Sequence, residues 1–163
     1  MRIYAAGSLG LLTIALLAPP AAAQSIDQQQ RICYKESGDT AIAACTAAIV
    51  SGQLTSANLA IVYYNRGFEF ANRKDDVLAI ADYSEAIRLN PQDPDFYDNR
   101  GLAYARKGNY ARAIVEYDQA LRLSPRDAWS YNKRGIAKKA LGRTAEGEAD
   151  IAKAKAIDPH IAD

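Results

Sequence analysis

Apolar and small residues recur at helical spacing through the middle of the chain. Tyr97, Gly101 and Tyr104 are separated by four and three residues, which places them on one face of a helix. Gly108 interrupts this pattern, and a second apolar stripe runs from there to Pro125, which cannot continue a helix. The stretch predicts two short antiparallel helices joined by a tight turn.

The same pattern repeats along the chain with a period of 34 residues. Two sets of residues keep this period: Gly67, Gly101 and Gly135 in the first predicted helix, and Pro91, Pro125 and Pro159 after the second. A fixed period of this length is typical of helical-repeat proteins, in which each unit buries its apolar face against its neighbours.

The units resemble the tetratricopeptide repeat (TPR), whose motif combines aromatic residues, a packing glycine, two alanines and a terminal proline. The unit Pro94 to Asp127 carries the whole set: Tyr97, Gly101, Tyr104, Ala113, Tyr117, Ala120 and Pro125. The unit before it matches equally well, and the unit after it departs at Lys138, Gly147 and Ile151. The resemblance implies an all-α fold, a right-handed helical-repeat solenoid of antiparallel helix pairs with about four units.

Residues 24–59 lack the aromatics and the proline of the motif. They still predict two helices, Ile26 to Ser37 and Thr40 to Ser51, and we interpret them as a divergent pair that caps the stack. The predicted TPR units follow at 60–93, 94–127 and 128–163, the last with the C-terminal end.

The last predicted helix, Thr144 to Ile157, has two interpretations. Its many charged residues favour a helix that caps the stack by itself. Alternatively, Ile151 and Ile157 leave an apolar strip for a second subunit, so the sequence predicts a monomer or a weak homodimer.

Residues 1–23 have the layout of a cleavable signal peptide. Arg2 precedes the apolar run Leu9 to Ala18, and Pro19-Pro20 and three alanines follow it. The alternative is an uncleaved anchor, because Ile3 to Ala23 is just long enough to span a bilayer. The sequence predicts cleavage, no membrane insertion afterwards, and a periplasmic or secreted protein.

Composition and candidate chemistry argue against catalysis. The 20 basic and 19 acidic residues give no basic excess, so nucleic acid is not an expected partner. The single histidine, His160, has no nucleophile and carboxylate arranged around it, and the two cysteines have no zinc-site spacing. We expect no enzyme activity, no cofactor and no metal site.

Three arginines occupy the seventh position of the units, where the TPR motif usually has leucine. The twenty-third position of the same units holds a carboxylate: the sets are Arg66, Arg100 and Arg134 with Asp82, Glu116 and Asp150. The first unit has Ile32 and Ala48 at these positions, so both charges are present or both are absent. This covariation predicts structural ion pairs; the alternative is that the arginines line a groove for an anionic ligand.

The resemblance also implies a concave groove formed by the first helix of each unit. The residues at its groove positions are Tyr34, Tyr64, Phe68, Asn72, Asp95, Asp98, Arg106, Trp129, Asn132 and Lys139. Some family members hold a peptide's terminal carboxylate with lysine and asparagine at two of these positions, which are Tyr64 and Phe68 here. The sequence therefore predicts a different ligand, and removal of Tyr64 and Trp129 is expected to leave stability unchanged. Phe68 could instead be a core residue.

Cys33 and Cys45 lie in phase with Gly67 and Ala79, the small residues where paired helices touch. Helices about 8–9 Å apart bring facing Cα atoms within reach of a disulfide. A disulfide is predicted, with two reduced cysteines in a core as the alternative.

The predicted function is that of a periplasmic adaptor for protein–protein interaction, which binds a peptide or protein segment in the concave groove. The alternative is a structural subunit of an envelope complex, which self-associates through its C-terminal end and uses no groove ligand.

Overall fold

A computed structural model describes residues 25–161, which form eight α-helices and no strand. The helices are α1 (Ile26–Lys35), α2 (Gly38–Val50), α3 (Ser56–Asn72), α4 (Asp76–Leu89), α5 (Pro94–Arg106), α6 (Tyr110–Leu123), α7 (Ala128–Ala140) and α8 (Thr144–Ile157). Each odd-numbered helix packs against the helix that follows it, and each pair packs against the next pair. The predicted all-α helical-repeat fold is therefore confirmed.

Local sequence signals determine where the helices begin. Asp93 and Asp127 cap α5 and α7, and each carboxylate accepts a hydrogen bond from a backbone N–H of the first turn. The turns after α5 and α7 place Gly108 and Gly142 at positive φ, where glycine carries no steric penalty. In the first unit the break comes two residues earlier than predicted, because α2 begins at Gly38.

Small residues allow the two helices of a unit to approach closely. A Cβ atom on Gly101 would lie 2.9 Å from the Tyr117 ring, so a larger residue would push α5 away from α6. The last unit packs more tightly, because a Cβ atom on Gly135 would lie 2.6 Å from the carbonyl oxygen of Gly147. Gly147, which stands where the second and third units have alanine, thus allows the backbones of α7 and α8 to contact each other.

Apolar side chains from each unit fill the space against the preceding one. Val62 of α3 packs on the core of the first unit, and Phe96 of α5 packs on Ala60 and Ala86 of the second. Ala137 of α7 joins the core around Tyr117. Through these contacts each unit covers the apolar face of the unit before it, as expected for a solenoid.

Cys33 of α1 and Cys45 of α2 form a disulfide, with their Cα atoms 4.9 Å apart. Both residues are buried, and Ala44, Ala48 and Val62 pack beside them. The first unit therefore has a covalent link where the second and third units pack a tyrosine ring against a glycine.

None of the helices in residues 25–161 is long and apolar enough to cross a membrane. The predicted signal peptide, residues 1–23, lies outside the described residues.

Reduction of the disulfide should destabilise the protein. The two cysteines are 12 residues apart, and closing a loop of this size stabilises a folded state by about 3 kcal/mol in the chain-entropy model. Urea unfolding of the oxidised protein with and without a reductant measures the difference. A Cys33→Ala plus Cys45→Ala variant is the control, since reductant should not affect it. Equal unfolding midpoints for the oxidised and reduced protein would contradict the prediction.

Candidate functional site

Arg66 of α3 joins three helices through one guanidinium group. Its Nε and Nη2 each donate a hydrogen bond to the carboxylate of Asp82 on α4 at 2.8 Å. Its Nη1 donates to Thr46 Oγ1 on α2 at 3.0 Å. The hydrogen bond with Asp82 raises the pKa of Arg66, so this guanidinium stays charged.

The two later units repeat this arrangement. The acceptors are Glu116 and Ser84 for Arg100, and Asp150 and Asp118 for Arg134. In each unit one acceptor lies on the unit's own second helix and the other on the second helix of the preceding unit. The guanidinium groups also lie over the aromatic ring at the fourth position of their units, 5.2–5.9 Å from its centroid. The arginines are therefore engaged inside the stack and do not line a groove.

The last unit adds a lysine to this network where the second and third units have an aromatic residue. Lys138 is buried, and its Nζ donates to Asp150 at 2.7 Å. Burial alone would raise the pKa of Asp150, but hydrogen bonds from Arg134 and Lys138 lower it below its usual range. The departure of this unit from the aromatic pattern thus replaces ring packing with a second buried ion pair.

The concave face exposes aromatic side chains near the N-terminal end of the stack. Tyr34 and Phe68 are 45% and 44% exposed. They line a pocket of about 260 Å³ between α1 and α3, with Cys33, Glu36, Tyr64, Asn65 and Glu69. Phe68 is thus a surface residue of the concave face and not part of the core.

Tyr64 and Trp129 are half-buried, so their removal should lower stability, contrary to the expectation from the sequence. The Tyr64 ring packs against Phe96 and Tyr83, with centroids 5.1 and 5.8 Å apart. Trp129 packs edge-on against Tyr117 at 6.0 Å. Both rings belong to the contacts between units, so truncating them removes core packing.

Asp98 and Asn132, predicted as groove residues, are buried at 7% and 1% exposure. Ser130 Oγ lies 2.7 and 2.8 Å from the two carboxylate oxygens of Asp98 and also contacts the carboxylate of Asp127. Burial is the main cause that raises the pKa of Asp98 to about 7, and the charges of Asp127 and Asp95 add to it. The position that would hold a lysine in a carboxylate clamp is therefore part of the contact between α5 and α7.

The other predicted groove residues lie apart from the aromatic pocket. Asn72 and Lys139 are exposed, and Arg106 is paired with Asp76, with Nε 2.7 Å from Oδ1. Sequence reasoning missed Ile136, which is 39% exposed. Ile136 could have been predicted from the repeat, because it occupies the same position of its unit as Tyr34 and Phe68.

Ile136 lines a second pocket, of about 520 Å³, on α7 and α8. The other lining residues are Asn132, Lys139, Glu148, Ile151, Ala152 and Lys155. In the preceding unit, the equivalents of Glu148 and Lys155 are the buried Ile114 and Leu121. This face is thus more charged than the contacts inside the stack. Ile157, which the alternative interpretation of α8 leaves open for a second subunit, packs near Leu121 and Tyr131.

Within residues 25–161 no group of three or more histidine, cysteine or carboxylate residues is arranged to hold a metal ion.

Removing Arg100 or Glu116 alone should cost about 2–3 kcal/mol, because each change leaves the other charge largely buried and unpaired. The Arg100→Leu plus Glu116→Leu double variant should cost much less than the sum, with a coupling of at least about 1 kcal/mol. Urea unfolding of the four proteins measures the cycle. Additive losses would show that the two side chains do not stabilise each other.

Stability should fall as the pH rises from 5.0 to 7.5. The folded pKa of Asp98, about 7, lies above its ordinary value of 3.8, so the folded state holds this proton more tightly. Its contribution is complete below the ordinary pKa and disappears as the pH passes the folded one. Asp150 does not interfere, because its lowered pKa leaves it ionised throughout this window. We expect the free energy of unfolding to drop by at least the roughly 1.4 kcal/mol of one pKa unit.

The Asp98→Asn variant is the control for this dependence. Its amide resembles the protonated acid, so its stability should be nearly constant between pH 5.0 and 7.5. An unchanged pH slope in the variant would assign the dependence to another group.

The TPR repeat family model matches residues 77–108 and 101–142. Among solved structures, the first TPR of Spaghetti (RPAP3) bound to the HSP90 peptide SRMEEVD is 25% identical, with a TM-score of 0.63; the match covers 64% of this chain and 83% of that one. The Arabidopsis OM64 TPR domain is also 25% identical, with a TM-score of 0.64 and coverage of 66% and 88%.

A third structure, MamA, shares the fold at 24% identity, with a TM-score of 0.75 and coverage of 83% and 79%. No curated protein sequence matches the chain. The repeat match, the eight-helix solenoid and the structural neighbours agree: the chain contains tetratricopeptide repeats and has the TPR fold.

Proposed function

We propose that this protein is an adaptor that binds a peptide or protein segment on its concave face. The observation that carries the proposal is the pair of exposed aromatic rings, Tyr34 and Phe68, beside a pocket between α1 and α3. Exposed aromatic side chains have few rotatable bonds and large contact areas, so they are effective anchors for a partner. TPR domains are protein–protein interaction modules, and one structural neighbour has the HSP90 peptide SRMEEVD bound.

The same face supports no anion clamp of the kind that the carboxylate-binding family members use. Tyr64 and Asp98 stand at one of the clamp positions, and Phe68 and Leu102 stand at the other. The three arginines of the stack are held by carboxylates of the protein itself. An acidic C-terminal peptide is therefore not the ligand that we propose.

The proposed compartment is the periplasm or the extracellular space. The predicted signal peptide and the Cys33–Cys45 disulfide both favour an oxidising environment. The proposed organisation is a signal peptide at 1–23, a capping helix pair at 24–59, and repeat units at 60–93, 94–127 and 128–163. We propose no enzymatic activity, no cofactor and no nucleic-acid partner, and we expect a monomer or a weak homodimer.

Self-association through α7 and α8 is the second candidate, because Ile136 and Ile151 line a pocket there. The charged residues around this pocket, Lys139, Glu148 and Lys155, disfavour a dry contact between copies. Sedimentation equilibrium separates the two proposals, since self-association predicts a mass that increases with protein concentration.

A photo-crosslinking amino acid tests the binding face directly. Placed at Phe68 on the concave face, it should give protein adducts in an envelope extract. Placed at Val115 on α6, which is 64% exposed, it should give none. Adducts at Val115 alone, or equal adducts at both positions, would contradict the proposal.

The Tyr34→Ser plus Phe68→Ser variant provides the matching loss of function. Because both side chains are exposed, the melting temperature should change by no more than about 2 °C. The adducts formed from a crosslinker at Asn72 should disappear in this variant.

A further inference from the structure

The pocket between α1 and α3 combines an apolar floor with carboxylates. Its lining residues include the rings of Tyr34, Tyr64 and Phe68, and the carboxylates of Glu36 and Glu69; no lysine or arginine is among them. Its volume of about 260 Å³ is below the usual range of about 300–1,000 Å³ for small-molecule sites. A pocket of this size and composition fits one apolar side chain of a longer ligand.

A second group of carboxylates lies at the start of α5, beside the Tyr64 ring. Asn99 Nδ2 donates both to the Tyr64 hydroxyl, at 3.2 Å, and to the backbone oxygen of Asp95, at 2.9 Å. Burial raises the pKa of the Tyr64 hydroxyl, and the nearby charges of Asp95, Asp93 and Asp98 add to that effect. Asp95 is exposed at the start of α5, and Asp93 precedes it in the cap of the same helix. The aromatic floor therefore has carboxylates at the start of α5 and at the ends of α1 and α3.

The nearby cations do not neutralise these carboxylates. Arg73 is paired with Asp39, and Arg106 with Asp76. Among residues 25–161, no ion pair engages Glu36, Asp93 or Asp95.

The two basic side chains of α1 lie on another face of the helix. In later units the sixth and tenth positions contact the preceding unit, as when Asn99 donates to Tyr64 and Glu69 accepts from the Gly38 N–H. Arg31 and Lys35 hold these positions in α1, so they face away from α3. The N-terminal half of the concave face is therefore apolar in its middle and negative along its edges.

We propose that this half of the face binds a peptide segment in which a short apolar stretch, with one anchor side chain, is flanked by lysine or arginine residues. The anchor occupies the pocket between Tyr34 and Phe68, and the flanking cations reach Glu36 on one side and Asp95 on the other. This ligand class rests on the proposed concave-face function. Its charge is opposite to that of the EEVD end of the HSP90 peptide held by the RPAP3 domain.

Three labelled peptides of equal length, KKLFKK, SSLFSS and EELFEE, each flanked by two glycines, test the proposal by fluorescence anisotropy with the purified protein. KKLFKK should bind at least tenfold more tightly than EELFEE, with SSLFSS between them. Its affinity should fall several-fold between 50 and 300 mM NaCl, because exposed charges are screened by salt.

Two variants identify where KKLFKK binds. Phe68→Ser should weaken it at least tenfold, and Asp95→Lys should weaken it several-fold and reduce the salt dependence. Val115→Ser and Glu85→Lys, which change the outer helices α6 and α4, are the matched controls and should bind like the wild type. Circular dichroism melts of all four variants identify any that fail to fold.

Equal or tighter binding of EELFEE would overturn the ligand class. Failure of all three peptides to bind at 1 mM, or binding of KKLFKK that neither Phe68→Ser nor Asp95→Lys weakens, would overturn it as well. Crosslinking from Phe68 is a separate readout: adducts there without peptide selectivity would leave the concave-face function standing and remove only the basic ligand.

Discussion

The stack depends on an arginine that is shared among three helices. In each of the last three units this arginine lies on the first helix and pairs with a carboxylate on the second helix. It also donates a hydrogen bond to a side chain on the second helix of the preceding unit. Burying such a charge is costly unless it is fully paired, so the arrangement favours one relative placement of the three helices. The repeat thus uses directional hydrogen bonds to set the geometry that the packing glycines allow.

This internal use of arginine determines the character of the concave face. Because the guanidinium groups are engaged within the stack, the remaining side chains set the charge of the binding face. Aromatic rings and unpaired carboxylates then dominate its N-terminal half, while Lys139 and Ile136 mark the other end. The N-terminal half of the concave face is therefore negatively charged along its edges, which disfavours an acidic peptide.

The fold and its ion pairs could be predicted because they follow the period. Glycines, prolines and aromatic residues at the same positions of each unit predict the helix pairs. Arg66 and Asp82 occur together, whereas the first unit has the uncharged Ile32 and Ala48 at these positions, and this difference predicts a contact between the two charges. The two cysteines could be paired because they stand where small residues bring helices together. Each of these inferences needs only the position of a residue within its unit.

The binding face was harder to predict because exposure depends on the neighbouring unit. Asp98 belongs to a groove position, yet Ser130 of the next unit covers it. Tyr64 lies under Phe96 in the same way. Tyr34, by contrast, was assigned to the groove from its position in the first unit, and the packed helices leave it 45% exposed. The position of a residue within its repeat thus predicts whether it lies on the concave face. Contacts between repeats determine which of these side chains are exposed to a partner.

The most direct test of binding at the concave face is an NMR titration of the isotope-labelled protein with the KKLFKK peptide, following backbone amide resonances. The shifts should concentrate in α1, α3 and the start of α5, around Tyr34, Phe68 and Asp95. Shifts confined to α7 and α8, or to the outer helices α4 and α6, would contradict it.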